Sequence, residues 1–240
     1  MKQVGILGEY KKSLHNGLYI LLLVFLLIPI SFQVLLTVSS QLKDGVFMHI
    51  AILSLFCRLF LPIAIGLLVS FSFVNEFRRK GYMSAIYHGI TLKTILSNKF
   101  LFCLIITFGY LLCALIITSI PIVLTVDNLG TVYQSLSFSI LFMVISSLII
   151  VNLHFLINII FYKIPLLSLL VGVIGGLGSF FISHTNYWIL FPWSYPIMSL
   201  YIDSIETKQL YIILFVYLLS LLSCILMLST LYNKKSMRWN

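Results

Sequence analysis

The sequence LYILLLVFLLIPISFQVLLTV occupies residues 18–38 and is apolar almost throughout. A helix of about 20 apolar residues is long enough to cross the hydrocarbon core of a bilayer. The run is too long for the apolar part of a cleavable signal peptide, and no convincing small-residue cleavage site follows it. We therefore expect a membrane-spanning helix at this position.

Similar apolar runs recur along the rest of the chain. Of its 240 residues, 61% are apolar and 9% are charged, whereas roughly a quarter are charged in soluble domains. These proportions predict an all-α integral membrane protein with one domain over residues 1–240. Proline at positions 29, 62 and 121 is expected to kink the helices. We place the six transmembrane helices at 18–38, 50–74, 100–124, 134–160, 165–183 and 210–231.

The basic residues predict the orientation of these spans. With six spans, twelve of the fifteen Lys and Arg residues fall on the side of the termini, and only Lys43 and Lys208 fall on the other side. The excess of positive charge marks the cytoplasmic side, so we expect both termini there. The net charge of +9 is then accounted for by topology and anionic lipid, and no nucleic-acid partner is needed.

Motifs for self-contained catalysis are missing from the sequence. It has no GxxxxGK[ST] phosphate loop, no HExxH, no GxSxG and no pair of carboxylates within a span. The four cysteines lie in apolar runs without CxxC spacing, so we expect neither a disulfide nor a metal site. The sequence favours a protein that is not an enzyme and has no catalytic residues.

Two basic side chains, Arg58 and His154, lie inside predicted spans. Arg58 is costly in lipid and should face protein or water; it either lines a polar cleft or subunit interface, or reaches the outer headgroups or backbone carbonyls. His154 lies near Asn152 and Asn158 in VNLHFLINII, and such a polar stripe most often joins helices through hydrogen bonds. A ligand or proton site at His154 is the alternative.

The loop after the second span, residues 75–99, is rich in charge. Arg78, Arg79 and Lys80 lie at the headgroup boundary, and apolar residues then recur at helical spacing from Tyr82 to Ile90. We expect a short cytoplasmic helix that docks on a partner, or that lies passively on the membrane. Thr91 is placed to cap the helical run that leads into span three.

The loop before the last span, residues 184–209, is expected on the external side. Its apolar core is interrupted by Pro192 and Pro196 and is too short to cross the bilayer. Trp188, Trp193 and Tyr195 favour the membrane boundary. The segment is either a re-entrant or interfacial hairpin, or a simple aromatic anchor. At the other terminus, residues 1–17 are expected to form an interfacial helix or a solvated basic tail.

Together these features resemble an ABC-2 type transporter permease. The local match is NEFRRKGYMSAIYHGITLKTILSNKF, residues 75–100, with an acid after span two, a glycine, a short apolar helix and a Lys-bearing run into span three. The size, and FPWSYPI at 191–197, are similar to the small permeases of bacterial lantibiotic immunity exporters. Unlike many ABC-2 members, the chain has no large external domain.

This resemblance implies a multi-pass protein of the bacterial plasma membrane that exports an antimicrobial peptide and confers immunity. It implies a cytoplasmic ATPase dimer that binds ATP and Mg²⁺, a second permease that is identical or different, and contacts with membrane lipid and amphipathic peptide. The implied ATPase-coupling residues are Glu76, Arg79, Gly81, Tyr82, Met83, Ile86, Tyr87 and His88. The candidate residues for a substrate path or subunit interface are Arg58, Asn152, His154, Trp188, Trp193 and Tyr195.

Three alternatives stay open. The chain could belong to an ABC-2 exporter of another amphipathic peptide, a drug or a lipid. It could be a membrane-embedded lipid-modifying enzyme that uses Arg58, Asn152, His154 or His184. It could also be a peptide sensor that transports nothing.

Overall fold

The computed structural model describes residues 6–14, 17–40, 44–77, 83, 86–87, 89–125, 129–201, 205 and 207–233. Across these ranges nearly every residue is helical and no strand occurs, in keeping with the predicted all-α class. The helices are α1 (Ile6–Leu14), α2 (Leu18–Ser39), α3 (Gly45–Leu55), α4 (Leu61–Phe77), α5 (Leu92–Thr125), α6 (Leu129–Ile160), α7 (Leu167–Ile182), the short α8 (Tyr195–Ser199) and α9 (Thr207–Asn233).

Five helical segments in the described part of the chain are long and apolar enough to cross a membrane. They are Leu18–Ser39, Gly45–Val74, Leu92–Leu124, Val132–Ile160 and Thr207–Leu226. These segments match five of the six predicted spans and indicate a membrane protein. The sixth predicted span, 165–183, forms α7, which has only 16 residues. Its length of roughly 24 Å falls short of a hydrocarbon core of about 30 Å.

Several helices continue beyond the apolar runs because polar residues cap them there. α3 begins at Gly45, five residues before the predicted start, and the carboxylate of Asp44 accepts hydrogen bonds from the amides of Val46 (2.8 Å) and Phe47 (3.3 Å). Thr91 caps α5 as predicted, because its Oγ1 accepts from the amide of Thr94 at 3.2 Å. Hydropathy alone does not detect such polar helix ends.

The centre of the bundle is the continuous segment formed by α3, a π-helical turn at Phe56–Phe60 and α4. Within an 18-residue apolar stretch of this segment 67% of the residues are buried, compared with 28% in such a stretch of α2 and 17% in α9. α4 packs against α6 and α7, and α9 packs against α6. α2 and α9 therefore leave most of their apolar side chains exposed, as lipid-facing helices do.

Candidate functional site

The closest helix packing in the described bundle joins α4 to α7. A Cβ atom at Gly172 would lie 2.9 Å from the carbonyl oxygen of Pro62, and one at Gly176 would lie 2.8 Å from that of Leu59. Together with Ser168, these glycines form a row of small residues at four-residue spacing. Such rows let two helix backbones touch. The seam between α4 and α7 therefore has no room for larger residues.

A proline shapes the α4 side of this seam. Pro62 has no N–H, so it cannot donate the hydrogen bond that an α-helix would direct to the carbonyl oxygen of Arg58. The chain widens here into the π-helical turn, where the amide of Leu61 donates to the carbonyl oxygen of Phe56. Ser179 of α7 donates its hydroxyl to the carbonyl oxygen of Arg58. The partner helix thus satisfies the acceptor that the proline leaves free.

His154 forms a buried polar cluster on one side of the seam. Its Nε2 accepts from the indole N–H of Trp193 at 3.1 Å, and its Nδ1 lies 2.8 Å from Oγ of Ser168. An indole nitrogen can only donate, so the proton of the imidazole is on Nδ1 and is donated to Ser168. The side chain of His154 is 0% exposed. This residue thus ties α6 to both α7 and the segment that follows α7.

The aromatic segment from 186 to 199 folds back against the bundle. A Cβ atom at Gly178 would lie 2.8 Å from the ring of Phe191, and one at Gly175 would collide with the indole of Trp193. Of the aromatic residues singled out in the sequence, Trp188 and Tyr195 are buried and Trp193 is half-buried. The segment therefore packs on the bundle through these rings, while Tyr187 and Leu190 remain exposed.

Tyr195 shows how the segment holds its shape. Its hydroxyl donates to the carbonyl oxygen of Ile189 at 2.6 Å, and its ring meets the indole of Trp188 edge to face. Burial raises the pKa of Tyr195 to about 12, because the charged phenolate loses its hydration. The phenol therefore stays protonated, and remains a hydrogen-bond donor, across the physiological range.

Arg58 lies at the end of the seam where α7 ends. Its Nη1 is 3.2 Å from Nε2 of His184, and its guanidinium lies over the ring of Phe180 at 5.1 Å from the centroid. The side chain is half-buried, and its Nε is buried without a hydrogen-bond partner. Arg58 thus faces protein on one side and is accessible on the other.

The residues of the predicted polar stripe on α6 form hydrogen bonds with more than one helix. The amide nitrogen of Asn152 donates to Oγ of Ser220 in α9 at 3.1 Å, whereas His154 contacts α7 and Trp193. Asn158 is buried, and neither atom of its amide is hydrogen-bonded to a described residue. Hydrogen bonding between helices is therefore confirmed for Asn152 and His154 but is not observed for Asn158.

The implied ATPase-coupling residues are only partly described. Glu76 lies in the last turn of α4 without a described side chain, and the predictions for Arg79, Gly81, Tyr82 and His88 lie outside the described residues. Met83 is half-buried, whereas Ile86 is 45% and Tyr87 is 88% exposed.

A buried ion pair lies at the base of this loop. Nζ of Lys99 donates to Oε2 of Glu9 and to the carbonyl oxygen of Ser72, both at 2.7 Å. Lys99 is 0% exposed, and Lys12 approaches the same carboxylate at 3.4 Å. The pair joins α1 to α5 and α4, so the N-terminal helix is fixed against the bundle.

Sequence reasoning missed two parts of this arrangement. The small residues at 168, 172 and 176 are visible as a four-residue repeat, and that spacing was the available signal for the seam. For the ion pair there was no signal, because Glu9 and Lys99 are 90 residues apart and no local pattern relates them.

No family model, no curated protein and no solved structure matches this chain.

Proposed function

We propose that this chain is the membrane subunit of an ATP-driven exporter of the ABC-2 type, and that it expels an antimicrobial peptide such as a lantibiotic from the bacterial plasma membrane. The observation that carries the proposal is the exposure of Ile86 (45%) and Tyr87 (88%) between α4 and α5. The hydrogen bond from Lys99 to Ser72 places these two positions side by side. Beyond them α4 continues to Phe77, and α5 already begins at Leu92.

Two helical extensions flank the segment between α4 and α5. α5 extends seven residues beyond Lys99 and α4 extends five beyond Ser72, or roughly 10 Å and 7 Å. The exposed Tyr87 and Ile86 lie on this loop, outside the apolar spans. Apolar and aromatic side chains exposed to water are typical of a surface that binds another protein. The partner in this proposal is a cytoplasmic ATPase dimer.

In the proposed mechanism, ATP and Mg²⁺ bind to the partner, and its closure pushes on the loop. The force passes into α4, and through the Glu9–Lys99 pair into α1. α4 and α7 are in backbone contact along the glycine seam, so they move as one unit together with the aromatic segment. A second permease, identical or different, completes the path. The amphipathic peptide leaves past the aromatic segment and Arg58.

The geometry gives less support to the other candidates. A lipid-modifying enzyme that used His154 as its acid or base would need access to that imidazole, which is buried and hydrogen-bonded at both nitrogens. A peptide sensor would not need exposed apolar side chains between α4 and α5. An exporter of another amphipathic peptide, a drug or a lipid shares all the features described and differs only in cargo.

The test is to isolate the tagged chain from its native membrane under gentle conditions and to identify its stoichiometric partners by mass spectrometry. A photo-crosslinking amino acid at position 87 is expected to capture the ATPase. The matched control places the same group at position 187, an exposed tyrosine (72%) beyond the far end of α7.

Loss of function should follow the same pattern. Tyr87→Ala is expected to lower both ATPase co-purification and transport-coupled ATP turnover severalfold, whereas Tyr187→Ala should leave ATPase co-purification unchanged. Recovery of the chain without any ATPase, or equal crosslinking from both positions, would contradict the proposal.

A further inference from the structure

Arg58 is a cation without a counter-ion in the described part of the chain. Its side chain hydrogen-bonds to His184, and the described carboxylate that forms ion pairs, Glu9, contacts Lys12 and Lys99 instead. Arg58 is 14 residues from Ser72, or roughly 21 Å along the helix. If Ser72 marks one edge of a core about 30 Å thick, Arg58 lies inside the opposite leaflet. An isolated arginine inside the hydrocarbon is costly.

The polar groups that Arg58 and His184 leave available to a ligand are all hydrogen-bond donors. A guanidinium has five N–H groups and no acceptor. Because Arg58 donates to Nε2 of His184, the imidazole proton is on Nδ1. The exposed imidazole therefore presents one more N–H at the surface, on the side of the ring away from the guanidinium. Donors without an acceptor, one of them positively charged, match an oxyanion.

An apolar stripe leads along α7 to this donor pair. Its four side chains are each more than half exposed and recur at spacings of four, three and four residues, and His184 follows three residues after the last of them, just beyond the end of α7. They are Leu170, Ile174, Leu177 and Phe181. From first to last the stripe is roughly 16 Å long, about the thickness of the hydrocarbon of one leaflet.

We propose that Arg58 and His184 bind the phosphate group of a membrane phospholipid whose acyl chain lies along α7. Arg58 and His184 donate hydrogen bonds to the negatively charged headgroup oxygens, and the acyl chain packs against the apolar stripe. A lipid is favoured over free phosphate because the donors lie at membrane depth and adjoin an exposed apolar stripe. The inference does not depend on the exporter proposal.

The test compares two lipids on the purified full-length chain by native mass spectrometry. Phosphatidylglycerol and a diacylglycerol with the same acyl chains differ only in the phosphate headgroup. We expect phosphatidylglycerol to be retained at least fivefold better by the wild-type chain. Arg58→Gln should lower its retention to the level of diacylglycerol. Lys163→Gln, which removes an exposed positive charge from the turn before α7, should leave it unchanged.

Several outcomes would overturn the proposal. Equal retention of both lipids by the wild-type chain excludes a phosphate site and needs no variant. An equal loss in Arg58→Gln and Lys163→Gln indicates non-specific charge attraction. Displacement of the lipid by millimolar inorganic phosphate assigns the site to free phosphate. A dimer of the chain that forms without lipid and is lost in Arg58→Gln assigns it to a protein carboxylate.

Discussion

At Lys99 the chain buries a full positive charge. The ammonium group is satisfied by Glu9 and by the carbonyl oxygen of Ser72, and α1 supplies the only one of these partners that carries charge. Removing one member of a buried ion pair is far more costly than removing both, because the remaining charge is then uncompensated. This asymmetry makes the contribution of the pair measurable.

We predict that Glu9→Gln lowers the free energy of unfolding by about 3 kcal/mol, because Lys99 is then buried without its carboxylate partner. The double variant Glu9→Gln with Lys99→Met should recover much of this loss. Lys12→Gln, whose side chain is 37% exposed, should cost less than about 1 kcal/mol. Denaturant titration in mild detergent measures all of them. Equal stability of the wild type and Glu9→Gln would show that the pair is not formed.

A second prediction concerns the hydrogen bond between Trp193 and His154. Trp193→Phe keeps an aromatic ring against Gly175 but leaves Nε2 of His154 buried without a donor, which should cost about 1–3 kcal/mol. Trp188→Phe is the control, since no hydrogen bond from its indole to a described residue is seen, and its cost should be smaller. Nitrogen NMR should find the proton of His154 on Nδ1; a proton on Nε2 would contradict the assignment.

At the scale of elements, the seam between α4 and α7 makes a further prediction. Gly172→Ala and Gly176→Ala each push a methyl group against a backbone carbonyl oxygen, and overpacking of this kind costs about 1–3 kcal/mol. Gly109→Ala in α5 has open space, with nothing within 4 Å of the added atom. It should be neutral or stabilising by up to about 1 kcal/mol. The same unfolding measurement compares the three, and equal effects would mean that the helices do not touch.

The elements differ in how far the sequence predicts them. Hydropathy is a property of neighbouring residues, so it locates long lipid-facing helices such as α2 and α9 to within a few residues. The Thr91 cap was also predicted because its signal is local. The contacts of His154 and Arg58 depend on which helices become neighbours, and one sequence carries no record of that. For this reason both were recognised as candidates while their partners, Ser168, Trp193 and His184, were not assigned.

For the whole molecule, the number of crossings is the property to measure. If α7 crosses the membrane despite its 16 residues, the chain has six spans and the loops at Tyr87 and Tyr187 lie on opposite sides. We predict that an impermeant maleimide labels Tyr187→Cys in intact cells and labels Tyr87→Cys only after permeabilisation. The protein that receives these cysteines needs one prior replacement, Cys113→Ser, because the other three native cysteines are buried. Labelling of both positions from one side would exclude six spans.

The ion pair of α1 also orders the events of biogenesis. Glu9 leaves the ribosome 90 residues before Lys99, a delay on the order of 5 to 20 s at about 5–20 residues per second. During that interval α2, α3 and α4 have been synthesised, but Glu9 still lacks its buried partner. The hydrogen bond from Ser13 to Tyr19 of α2 can form earlier, but the buried ion pair can form only when α5 has reached its place. Closure of this pair is thus a late step of assembly, and a chain that misinserts its third long span leaves Glu9 without its partner.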